Sequence, residues 1–112
     1  MGKRVQRLID TNGEVYDERP VVGRHKWLIA GREFNTVLVR TVDDKERGQY
    51  SLIHVDSGRR LFRVQVKSLV LLGPETATVM NRLLQERTPE QVAAVLLAAP
   101  PLLPIEGKEV QP

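Results

Sequence analysis

His54-Val55-Asp56-Ser57 brings the three residue types of a nucleophilic triad into four consecutive positions, and acyl transfer is the chemistry such a set would perform. Neighbours on a strand point to opposite faces, however, so this spacing does not let the three hydrogen-bond in series. His54 reads as an exposed strand residue, and His25 as a satisfied, half-buried histidine. Asp43, Asp44 and Glu46 offer carboxylates for a divalent cation, but the alternating acidic positions and central glycine of an EF-hand are missing. Lys45 and Arg47 neutralise that segment, which reads as a solvated turn. Gly31, Gly48, Gly58 and Gly73 are scattered turn glycines and build no phosphate cradle. Cysteine is absent, which removes disulfides, thiolate nucleophiles and Cys-based zinc sites. The chain is therefore expected to be no enzyme and to hold neither metal nor cofactor.

The side chains with the clearest chemical potential are cations. Residues 1–72 carry 14 of the 17 Lys+Arg against 9 of the 14 Asp+Glu, a net of +5. The remainder carries 3 basic and 5 acidic residues, a net of −2. Arg24, Lys26, Arg63 and Lys67, with Arg59 and Arg60 at a hairpin tip, can release counterions from a phosphate backbone, and Tyr50 beside them can stack on a base. Aromatic content is only 4%, so stacking would rest on that one ring.

The elements that must position these groups are short antiparallel strands. Val5–Thr11 and Glu14–Glu18 flank Asn12-Gly13, which predicts a two-residue hairpin with Ile9 opposite Tyr16 and Arg7 opposite Glu18. Pro20 is expected to break the ladder. Val21–Ala30 alternates, with Val21, His25, Trp27 and Ile29 facing the core and Arg24 and Lys26 facing out. Gly31-Arg32-Glu33 reads as a turn and Phe34–Val42 as the next strand. Gln49–Asp56 and Arg59–Leu72 flank Ser57-Gly58. A two-residue loop there pairs Val55 with Arg60, Ile53 with Phe62 and Ser51 with Val64, which leaves Tyr50, Arg63 and Lys67 on the polar face.

After Gly73-Pro74 the pattern turns helical, with Val79, Met80, Leu83, Leu84 and Arg87 on one stripe. Thr88-Pro89-Glu90-Gln91 carries the signature of a capping box opening a helix over Pro89–Ala99. That helix is apolar almost all round, so it either plugs the open side of the sheet or presents Val92 and Leu96, with Leu102 and Leu103 of the Pro-Leu tail, to a partner or a second copy. Residues 1–105 are expected to form a single α+β domain. Within it, 4–72 make a small antiparallel barrel or bent sheet of five or six strands, 73–99 two helices, and 100–105 an extended segment. Residues 106–112 read as a disordered tail. The N-terminus lacks the apolar stretch of a secretory signal and no segment could span a bilayer, which points to a cytoplasmic protein with no membrane role.

Thr88-Pro89-Glu90-Gln91-Val92 resembles the opening of a repeat in TAL effectors, without the repeat period. Leu8-Ile9-Asp10-Thr11-Asn12-Gly13-Glu14-Val15 resembles a strand–turn–strand phrase at the start of small plasmid and phage proteins, which implies a phage or plasmid origin. The expected function is that of a nucleic-acid-binding accessory protein. The competing expectation is a small adaptor or host-enzyme inhibitor that docks on protein through a sheet edge or the C-terminal helices.

Overall fold

The computed structural model describes residues 5–10, 12–40 and 48–102. Its strand-forming part gives β1 (Val5–Ile9), β2 (Val15–Ile29), β3 (Arg32–Arg40), β4 (Gln49–His54) and β5 (Arg60–Gln65), followed by α1 (Leu72–Glu86) and α2 (Pro89–Ala98). The strands lie in sequence order in one antiparallel sheet. The sheet bends but does not close into a barrel. Its two ends approach where the Ile9 N–H donates to the Gly58 carbonyl at 3.2 Å. The α+β class, with a bent sheet followed by a helical pair, is the one the sequence pattern predicts.

Three turns depart from the expected pattern, two through local hydrogen bonds and one through backbone conformation. In the first hairpin the Asp10 carboxylate accepts from the N–H groups of Asn12 (2.8 Å) and Glu14 (3.0 Å), which lengthens the loop. Arg7 still pairs with Glu18, but Ile9 pairs with Val15 and Tyr16 is bulged out. Two consecutive positive-φ residues do occur, at Ala30-Gly31 (51° and 79°) between β2 and β3. That is the backbone of a tight two-residue hairpin turn, so Arg32 and Glu33 belong to β3 rather than to the turn. Between β4 and β5 the loop is longer than Ser57-Gly58. The Gly58 N–H donates to the His54 carbonyl and the His54 N–H to the Arg59 carbonyl, both at 2.8 Å. A bulge at Leu61 follows, and Tyr50 pairs with Val64 and Ser51 with Arg63. This register differs by one residue from the expected one, and a one-residue slip exchanges the two faces.

β2 runs unbroken through Pro20, which occupies the rung where the strand changes neighbours from β1 to β3. A bulge at Val22 follows and reverses which face the alternating side chains meet. Val21 therefore packs with Leu8, Val37, Val39 and Ile53 on one face of the sheet. Trp27 and Ile29 pack on the other, with Phe34, Leu38, Leu52, Val64 and the helices. β5 ends at Gln65 instead of continuing to Leu72. The Ser68 hydroxyl accepts from the Val70 N–H and starts a 3-10 turn over Leu69–Leu71 that leads into α1. α1 buries Leu72, Thr76 and Met80, one per turn along a single stripe. α2 opens with the full capping box of Thr88 and Gln91 and buries Val92, Ala93 and Leu96. These three side chains pack in the core with Leu52 and Val64 of the sheet.

Candidate nucleic-acid interface

Cross-strand register places the cations. Arg24, Val37, Ile53 and Arg60 form one row across β2 to β5, and Val21, Val39, Ser51 and Arg63 form the next. These rows lie on the face turned away from the helices. Their middles are apolar and packed under Leu8 of β1, and the Gln6 side-chain amide reaches the Val55 carbonyl at 3.3 Å. The cations are thus divided into two flanks, about 14 Å apart at three strand spacings. On the β2 flank, Arg24 and Lys26 border a groove of about 570 Å³ that Val5, Gln6 and Asn35 also line. On the β5 flank stand Arg60 and Arg63, with Arg59 in the preceding turn and Lys67 beyond the strand.

All six cations are exposed. Lys26 meets Glu33 at 3.7 Å, with both side chains more than 60% exposed, so water and salt screen that pair heavily. The other five have no ion pair among the described residues. Their positive charge is available to a polyanion.

Tyr50 is not available. It is 4% exposed and belongs to the core cluster beside Leu52 and Val64, because it shares with Leu52 the face of β4 that the helices cover. The expected stacking platform is absent at that position, and contact through this surface would be ionic.

The turn also corrects the reading of His54. His54 Nδ1 and Ser57 Oγ lie 2.7 Å apart, a contact the turn geometry creates and strand spacing forbids. Both residues are buried, and Ser57 Oγ also accepts from the Arg59 N–H at 3.3 Å. Burial lowers the His54 pKa, an effect the nearby Asp56 charge partly opposes. The Phe34 ring meets the imidazole edge-on at 6.0 Å. The pair closes the turn. His25 is half-buried as expected, stacked on Trp27 at 5.5 Å, with its pKa lowered by burial.

Of the residues expected to meet a partner, Val92 and Leu96 are buried on the face of α2 that packs into the core. They also line the floor of a second groove, about 270 Å³, between the start of β5 and the helices. Leu61, Leu83 and Val95 complete its apolar lining, and Arg59, Arg60 and Arg87 border it. Sequence spacing put Arg87 on the apolar stripe of α1 without giving it a role. In the structure it caps that helix, its N–H donating to the Leu83 carbonyl at 2.9 Å, and it lines the same groove as Arg59 and Arg60. Leu102 docks back on the β4–β5 turn, where its N–H donates to the Asp56 carbonyl at 2.7 Å. Leu103, the tail 106–112 and the acidic segment holding Asp43, Asp44 and Glu46 lie outside the described residues.

No group of three or more potential metal-ligating side chains occurs among the described residues, and no helix there is long and apolar enough to cross a membrane. Comparison with protein-family models, curated proteins and solved structures gave no match.

Proposed function

We propose that this chain is a non-enzymatic nucleic-acid-binding accessory protein that meets the phosphate backbone through the cations flanking its bent sheet. One observation carries the reading: Arg24, Arg59, Arg60, Arg63 and Lys67 are all exposed and none is ion-paired among the described residues. Unpaired surface cations favour a polyanion through counterion release and confer little sequence selectivity. With Tyr50 in the core, electrostatics carries the affinity.

The test is fluorescence anisotropy of labelled single- and double-stranded DNA and RNA at low and physiological salt. Four to six phosphate contacts give a slope of log K against log salt of about −4. The Arg63→Glu, Lys67→Glu double variant should weaken binding by tenfold or more with an unchanged circular dichroism spectrum. No binding at low salt would overturn the proposal.

A second reading, a protein-binding adaptor or host-enzyme inhibitor, is favoured by one observation of its own. Val95 and Leu97 are each 54% exposed on α2, next to the groove of the helix pair, and exposed apolar surface of that kind suits a protein partner.

A further inference from the structure

The groove between β5 and the helices combines two features that no other concavity described above shares. Its lining is largely aliphatic, and three guanidinium groups border it with no carboxylate paired to any of them among the described residues. Like charges gathered without a counter-charge repel one another, and an acidic ligand removes that repulsion as it binds. The guanidinium fork matches carboxylate geometry in a two-point contact that a lysine could not make.

The aliphatic floor decides what the acidic ligand is. A polynucleotide could satisfy the arginines but would lay ribose and phosphate over Leu61, Leu83 and Val95, and no aromatic ring lines the groove to hold a base. A volume of about 270 Å³ lies just below the range of roughly 300–1,000 Å³ typical of small-molecule sites. The space suits a few side chains of a longer chain that continues past the groove.

We propose that this groove binds a short acidic and apolar peptide segment of a partner protein. Two aliphatic side chains of the segment seat against Leu61, Leu83 and Val95, and flanking carboxylates meet Arg59, Arg60 and Arg87. The site shares Arg59 and Arg60 with the nucleic-acid reading and adds Arg87 and Val95, which that reading does not use.

The test uses the full chain and a panel of short fluorescein-labelled peptides. Each carries two leucines three or four positions apart, as for helical anchors in a groove, flanked by Asp and Glu. Control peptides replace the acids by Asn and Gln, or the leucines by Ser. At least one acidic peptide should bind with a Kd on the order of 10–100 μM at low salt, and both control types should fail. Arg87→Glu and Val95→Asp, at exposed positions, should each weaken binding about tenfold, while Arg24→Glu with Arg63→Glu leaves it within about twofold. Thermal melts of all variants confirm folding. Failure of every acidic peptide, or equal binding of the amide controls, overturns the proposal. So does binding that Val95→Asp leaves intact, since the ligand would then be held by charge alone. Oligonucleotide titrations of the Arg87→Glu and Val95→Asp variants separate the two readings, because neither residue belongs to the sheet-face cations. Oligonucleotide binding that falls as steeply as peptide binding in both variants would give the groove to nucleic acid and overturn the peptide assignment.

Discussion

His54 and Ser57 show how a buried polar pair ties stability to pH. Burial holds the imidazole pKa below its ordinary value of 6.5, and the same cause acts on His25. As pH falls, the unfolded chain binds these protons before the folded one does. Stability is therefore full above about pH 6.5 and declines as pH drops through that value toward the lowered folded-state pKa values. Thermal unfolding should show a falling midpoint between pH 7.5 and 5.5, and His54→Gln should flatten the dependence while lowering the midpoint at pH 7.5. Gly58, four residues beyond the end of β4 in the same turn, has φ +73°, and a Cβ there would approach the Arg7 carbonyl oxygen to 2.9 Å and the Leu102 side chain to 3.1 Å. Gly58→Ala should cost about 1–3 kcal/mol, read as a lower urea midpoint.

At the scale of elements, α2 depends on its first turn. A helix of 10 residues is too short to stand alone, and Thr88 satisfies one of its unpaired N–H groups through the 3.1 Å bond from Gln91. Thr88→Ala should cost about 1 kcal/mol, and Thr88→Ser should restore most of it; chemical denaturation measures both. Met80, with no exposed surface where α1 meets the sheet, is the more severe site: Met80→Ala should cost about 2–5 kcal/mol. The capping box and both helices were legible in the sequence because their signals are local, whether caps, proline at N1, or a stripe of period 3.6. The β4–β5 register was not. Tyr50, Ser51, Leu52, Ile53 and His54 are all buried, so β4 has no solvent face. Without one, alternation says nothing about which side chain points where. The turn that fixes the register is closed by Gly58 and Ser57 on His54, contacts that arise only after the chain has folded back. The bulge at Val22 was hidden for a similar reason, since it answers to two neighbours, β1 and β3, on one strand. These departures reached the candidate site unequally. The charged side chains stayed on the surface whichever register held, and Tyr50, the one apolar member, went to the core.

For the whole molecule, the net of +5 in residues 1–72 and −2 beyond them makes the sheet the attractive side for an approaching polyanion. Raising salt from about 50 to 200 mM should weaken nucleic-acid binding by roughly two orders of magnitude, whereas peptide binding in the helix groove, held partly by aliphatic contact, should weaken far less. Parallel titrations of the two probes measure the contrast. The order of the elements along the chain has a further consequence, for synthesis. The sheet face bearing Phe34, Leu38, Leu52 and Val64 is complete once Val64 has been added, but its cover comes from Met80, Val92 and Leu96. During translation, a growing polypeptide that has reached β5 carries its future interior uncovered, and every premature stop before α2 leaves it so permanently. Ribosome-stalled or truncated forms of this protein are therefore the ones that chaperones and proteases should recognise, well before any full-length molecule is at risk.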